Sequence, residues 1–105
     1  MKTFRTLELA SDFYQLSEKS LLTGNLKDQL LRAASSIALN LAEGNAKPSI
    51  KEKKRFYQIA YASLRECQAI FKISGINDET LLDRADHLGA CLYKLNKAEI
   101  TVNEN

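Results

Sequence analysis

The residues best suited to chemistry lie between Lys47 and Arg55, where five basic side chains (Lys47, Lys51, Lys53, Lys54 and Arg55) stand against one acid, Glu52. Cations at that density suit the phosphates of RNA, because neutralising phosphates releases counterions and supplies affinity that falls steeply as salt rises. On a helix, Lys54, Arg65 and Lys72 share one line, which carries the cluster further along an outer face. The alternative is a solvated charged face with no ligand. A second polar set lies upstream: Arg32, Ser36, Asn40 and Glu43 recur at i, i+4, i+8 and i+11, one stripe beside an apolar face and within reach of Glu66. Such a stripe is either a binding pocket or an interhelical or intersubunit network whose members satisfy one another.

Catalytic and metal chemistry find no comparable support. His87 is the single histidine and falls opposite a leucine stripe, among Asp83, Asp86 and Lys94, which predicts an exposed residue and not a general base. Asp83 and Asp86 are one turn apart on the same solvated face. There is no glycine-rich phosphate loop and no nucleophile motif. Cys67 and Cys91 are each isolated inside a helical pattern, with no second Cys or His expected at ligand spacing, so both read as buried small hydrophobes in a reducing compartment. No enzymatic activity, cofactor, metal or small-molecule substrate is therefore expected.

The frame that must position these residues follows from composition. A chain of 105 residues with 45% apolar and 27% charged residues has the balance of one globular domain spanning 1–105. Only 4 Gly and 1 Pro, with few Val- and Thr-rich runs, leave an all-β domain without its punctuation, so the fold class is all-α. The net charge of +2 permits nucleic-acid binding without demanding it. No basic-then-apolar leader opens the chain and no run approaches the ~18 apolar residues of a membrane span, so a cytoplasmic protein without membrane contact is expected.

Periodicity predicts four helices. The first runs from about Thr6 to Leu22, with Leu7, Leu9, Ala10, Phe13, Tyr14, Leu16 and Leu21 on a broad apolar face. The second spans about Leu26 to Glu43 and stops at Gly44, read as its left-handed cap; Leu26, Leu30, Ala33, Ala34, Ile37, Ala38 and Leu41 share its inner face. The third opens on a capping box, Ser49 and Glu52, and continues to about Ser74 before Gly75. The fourth starts with Asn77 as cap, then Asp78 and Glu79 in the first turn, and carries a clean stripe of Leu81, Ala85, Leu88, Leu92 and Leu95. From about Lys97 the tail loses its period and is expected to fray. Short breaks force antiparallel neighbours, hence an antiparallel up-and-down four-helix bundle.

The third helix is unusually apolar. Ile59, Ile70, Ser63, Phe56, Cys67, Ala60, Phe71, Leu64, Tyr57 and Tyr61 occupy an arc of roughly 200°. The surplus carried by Tyr57, Tyr61 and Leu64 predicts a second packed surface and thus an oligomer interface. The alternative is that the bundle wraps this helix on two sides.

The stretch from Lys27 to Glu66 carries a resemblance. Gln29, Leu30, Arg32 and Ala33, then Ser36, Ile37, Asn40, Leu41, Ala42, Glu43 and Gly44, then Lys51, Glu52, Arg55, Phe56, Ala60, Ser63, Leu64 and Glu66 match in type and spacing. On these residues the chain resembles the bacterial 23S rRNA intervening-sequence proteins, also called four helix bundle proteins; Phe4, Arg5 and Leu7 extend the likeness to the N-terminal helix. It departs at Ala10, where members often carry Trp, and at Lys53, where they carry an apolar or aromatic residue. The resemblance implies an antiparallel four-helix bundle assembling as a homopentamer, with no enzymatic activity known for the family. Relatives include the accessory protein of diversity-generating retroelements, a more basic pentamer that binds a reverse transcriptase and nucleic acid.

The expectation is thus a non-enzymatic homo-oligomer, a pentamer by resemblance, whose basic rim contacts RNA or a nucleoprotein partner. The runner-up is a purely structural or protein-binding assembly.

Overall fold

A computed structural model describes the backbone of residues 2–104 and the side chains of residues 4–97. Four helices follow one another, α1 (Lys2–Glu18), α2 (Gly24–Ala46), α3 (Ile50–Ser74) and α4 (Glu79–Glu104), and no strand occurs among the described residues. Neighbours in sequence are neighbours in space, and the ring closes where α1 packs on α4. Cross-helix pairs give the direction. Ser36 meets Ser63 while Gly44 lies against Tyr57, so advancing along α2 means receding along α3. Gln68 meets Asp86 and Tyr61 meets Tyr93, so α4 in turn runs opposite to α3. The result is a four-helix bundle in which α2, α3 and α4 run antiparallel in turn, 44 × 21 × 19 Å, its long axis close to the ~38 Å of a 25-residue helix.

The ends of the helices show which local signals decide. Ser49 Oγ accepts the Glu52 amide at 3.2 Å and donates to Glu52 Oε2 at 2.9 Å, the reciprocal pair that starts α3. Gly75, at φ 71°, ends that helix in the left-handed conformation that favours glycine. The fourth helix is capped one residue later than expected: Asp78 Oδ1, not Asn77, accepts the Leu81 amide at 3.1 Å.

Several ends differ from expectation: α1 begins at Lys2, ahead of the start expected near Thr6, and α2 at Gly24, ahead of Leu26. Helix α1 stops at Glu18 instead of Leu22, because Lys27 reaches back from α2 and its ammonium donates to the Glu18 and Ser20 carbonyls at 2.8 and 2.9 Å. The backbone turns there, and Leu21, assigned to the apolar face of the first helix, is left 92% exposed. Helix α2 does not end at Gly44 but runs on to Ala46, so Gly44 is an interior helical residue. Its use is space: a Cβ there would lie 2.7 Å from Tyr57 Cε1 and 3.2 Å from Phe56 Cβ. The missing side chain lets α2 and α3 close on each other. Helix α4 extends to Glu104; the fraying expected from about Lys97 concerns side chains outside the described residues.

The core draws on all four helices: Ala10 and Phe13 from α1; Leu30, Ala34, Ile37 and Leu41 from α2; Tyr57, Ala60, Leu64 and Cys67 from α3; and the complete α4 stripe of Leu81, Ala85, Leu88, Leu92 and Leu95. Phe13 and Phe71 meet edge to face across it, 6.2 Å between centroids.

This core overturns part of the interface expected on α3. Tyr57 and Leu64 are enclosed by their own chain, 1% and 0% exposed, and have no surface to offer a second copy. The wheel underestimated how far the neighbours reach around α3. Gly44 admits the Tyr57 ring, and Gly89 brings α4 so close that a Cβ there would stand 3.1 Å from Leu64 Cδ1. Tyr57 ties three helices together: its hydroxyl donates to Asn45 Oδ1 at 2.7 Å, and its carbonyl accepts from Asn96 Nδ2 at 3.0 Å. Tyr61 is half-buried at the rim, its ring 6.4 Å from that of Tyr93.

Candidate nucleic-acid interface

The basic stretch between α2 and α3 separates into two groups once its partners are known. Lys47 pairs with Glu43 one turn back, Nζ to Oε2 3.2 Å, and sits 5.2 Å over the Phe56 ring. Lys53 points its ammonium at the Gly44 and Asn45 carbonyls, 3.4 and 3.1 Å away, in the last turn of α2, where Gly44 O also accepts the Lys47 amide at 3.1 Å. This accounts for a lysine where the resembled family carries an apolar or aromatic residue: here the position caps a neighbouring helix. Both cations are engaged in holding the turn.

The others face outward. Lys51, Arg55, Arg65 and Lys72 are exposed and Lys54 is half-buried. Lys54, Arg65 and Lys72 fall on one line of α3, as the wheel predicts, over ~27 Å of helix. None of the three forms an ion pair among the described residues; Arg65 Nη1 donates to Gln68 Oε1 at 3.2 Å. Sequence reasoning missed that this line borders α4, where Gln68, Gly89, Ala90 and Tyr93 join Tyr61 and Arg65 around a depression of ≈ 350 Å³. Tyr93, 54% exposed and next to Leu92 of the leucine stripe, carries no signal of its own in the sequence.

The polar stripe on α2 is a small network between helices, not the wider set expected. Ser36 Oγ and Ser63 Oγ are 2.9 Å apart, and Asn40 Nδ2 donates to the Ser36 carbonyl and hydroxyl at 2.8 and 3.1 Å. Arg32, Glu43 and Glu66 are exposed, and no bond joins Glu66 to α2 among the described residues. Ser63 is the residue that sequence reasoning left out, since it lay inside an otherwise apolar arc.

The two cysteines behave differently. Cys67 is buried, and burial, with the nearby charge of Glu66, pushes its thiol from an ordinary 9.0 up to about 12. Cys91 is only half-buried, and its Sγ lies 4.0 Å from His87 Nε2, one turn away on α4, so the reading of it as a sequestered hydrophobe without a neighbouring histidine does not hold. His87 itself is exposed, as expected. A thiol reagent at neutral pH should therefore modify one cysteine per native chain and two in denaturant. Because the folded thiol of Cys67 ionises above its unfolded value, it leaves stability intact below pH ~9 and lowers it progressively as pH rises from ~9 towards ~12. Urea titrations across that range should show this decline, and Cys67→Ala should remove it.

The bundle and the Ser36–Asn40–Ser63 seam fit the resemblance drawn from Lys27 to Glu66. A family model described as 23S rRNA-intervening sequence protein matches residues 4–97. The chain belongs to that family. No curated protein and no solved structure matches it. The 23S rRNA-intervening sequence proteins are small helical proteins, and in this one the matched span takes in all four helices. No helix of this family member is long and apolar enough, among the described residues, to cross a membrane. No group of three or more His, Cys, Asp or Glu is placed to hold a metal ion among the described residues.

Proposed function

We propose that this 23S rRNA-intervening sequence protein is a non-catalytic, homo-oligomeric bundle that works in the cytoplasm by binding RNA through the outward face of α3. The observation that carries the reading is the line of Lys54, Arg65 and Lys72, which has no carboxylate partner among the described residues, while Lys47 and Lys53 are engaged in the α2–α3 turn. Lys51 and Arg55 extend the positive field toward the N-terminal end of α3. In a ring of copies, the pentamer that the family resemblance implies, the line repeats and a weak phosphate contact becomes polyvalent.

The surface proposed for assembly is the outer side of the α2–α3 pair. Leu39 is 68% and Ile59 40% exposed there. The antiparallel register set by Ser36 and Ser63 brings Arg32 level with Glu66, opposite charges that form no ion pair within the chain among the described residues. Apolar centre and unsatisfied charges of both signs suit a second copy of the same surface. Sedimentation should give a mass several times 11.8 kDa, and Leu39→Glu should shift it toward the single chain without changing helix content. A wild-type monomer at micromolar concentration would end the assembly reading.

Filter binding to RNA at two salt concentrations tests the basic face. Replacing Lys54, Arg65 and Lys72 together by glutamine should weaken binding at least about tenfold and flatten the salt dependence by about two to three units of slope. Absence of retention at low salt removes the RNA reading. The runner-up, a purely structural assembly, is favoured by the engagement of Lys47 and Lys53; it predicts an intact oligomer that retains no RNA.

A further inference from the structure

The depression between α3 and α4 has features that a plain basic face does not need. Tyr61 and Tyr93 stand at one end of it, rings 6.4 Å apart and tilted by 55°, with Tyr93 54% exposed. Gly89 keeps the floor low beside them, against Leu64 Cδ1. The cations are set around this aromatic pair. The register that places Tyr61 opposite Tyr93 and Gln68 opposite Asp86 puts Arg65 and Lys72 to one side of the tyrosines and Lys54 to the other. Lys97 lies 6.0 Å over the Tyr93 ring. The one carboxylate in the lining, Asp86, already accepts from Gln68 Nε2 at 3.2 Å.

We infer that this α3–α4 groove is a site for single-stranded RNA, with an unpaired base stacked on the exposed face of Tyr93 and the flanking phosphates held by Lys54, Arg65 and Lys72. Each half of the arrangement alone is ordinary. Together they match the two demands of a single strand, a π-surface for a base and cations spaced along the backbone. A duplex, whose bases are already stacked inside, meets only the charges. A second copy of this chain is a poorer occupant, because the depression itself offers it one cation, Arg65, and one engaged carboxylate, Asp86, while Lys54 and Lys72, spaced along α3 outside the lining, suit an extended phosphate backbone. The inference rests on the RNA-binding reading above and narrows it to the state of the strand and the residue that senses it.

The chain has no Trp, and two of its 4 Tyr, Tyr61 and Tyr93, line the groove, so about half of the intrinsic emitters report on it and Tyr93→Phe identifies their share. The full-length protein is titrated, at low salt, with an unstructured U-rich RNA of about twelve nucleotides and with a duplex of the same length. Tyrosine emission should fall with the single strand. Tyr93→Ala should weaken single-strand binding about tenfold and leave duplex binding within about twofold, while Tyr93→Phe, which keeps the ring, should bind as the parent does. Circular dichroism should confirm that Tyr93→Ala stays folded, as befits a rim residue. If Tyr93→Ala changes neither ligand while the Lys54, Arg65 and Lys72 variant loses both, the stacking site is wrong and the basic face stands. If Tyr93→Ala lowers the assembly's mass, the groove is a subunit contact and the inference falls. Failure of both RNAs to bind removes the parent reading as well.

Discussion

Tyr57→Ala is expected to lower the unfolding free energy by about 3–5 kcal/mol, the cost of deleting a large buried aromatic side chain. A protein of this size has about 5–15 kcal/mol in total, so the variant should sit at the edge of folding at room temperature. The ring is 1% exposed and fills the space that Gly44 leaves open. Its removal leaves a cavity between α2 and α3 that the backbone cannot close, because the Ser36–Ser63 contact and the Lys53 cap hold the helices at their present spacing. The hydroxyl adds to the loss, since Asn45 Oδ1 loses its donor at 2.7 Å. Tyr57→Phe isolates that part and should cost about 1 kcal/mol. Urea denaturation followed by circular dichroism measures both. A Tyr57→Ala protein with an unchanged midpoint would show that the helices do not close on this ring.

Gly44→Ala is the complementary change, and its sign is the informative part. Alanine inside a helix is ordinarily more favourable than glycine by about 1 kcal/mol, so an unconstrained site would gain stability. Here the new methyl would lie 2.7 Å from Tyr57 Cε1 and 3.0 Å from Cδ1. The ring cannot swing away, being buried and tied through its hydroxyl to Asn45. Overpacking of this kind costs about 1–3 kcal/mol beyond the propensity gain, and the net change should be destabilising. Gly89→Ala, whose new methyl would meet Leu64 Cδ1 at 3.1 Å, should cost less, because a leucine methyl gives way more easily than a tethered ring. Thermal melts of the two variants side by side decide the order. Stabilisation by Gly44→Ala would mean that α2 and α3 are farther apart than the structure has them.

How much of this could be read from the chain alone depends on whether the signal was local. Ser49 and Glu52 bond within three residues of each other, and the leucines of α4 repeat on a period set by the helix itself, so both were legible without any partner. The end of α1 was not, because the group that terminates it is Lys27, an ammonium from the next helix. Gly44 was misread for the same reason. A glycine at the end of an apolar pattern signals a cap when only the backbone is considered; what keeps a side chain out is a tyrosine thirteen positions away. Of the candidate site, the alignment of Lys54, Arg65 and Lys72 followed from helical period. The loss of Lys47 and Lys53 from the free positive charge depended on Glu43, Gly44 and Asn45 arriving beside them.

By itself, then, the amino-acid sequence determined that this protein is built of four amphipathic helices, that the leucine stripe of α4 faces inward, and that its cations concentrate on α3, because period, composition and capping act over a few residues. Only the tertiary structure decided how far the neighbours wrap α3. Tyr57 and Leu64 are consumed inside one chain, and the surface left over is Leu39 and Ile59 on one side and Tyr61 with Tyr93 on the other. The physical reason is that coverage of a helix is set by how closely its partners approach. Here that approach was settled at Gly44 and Gly89, by atoms that are absent.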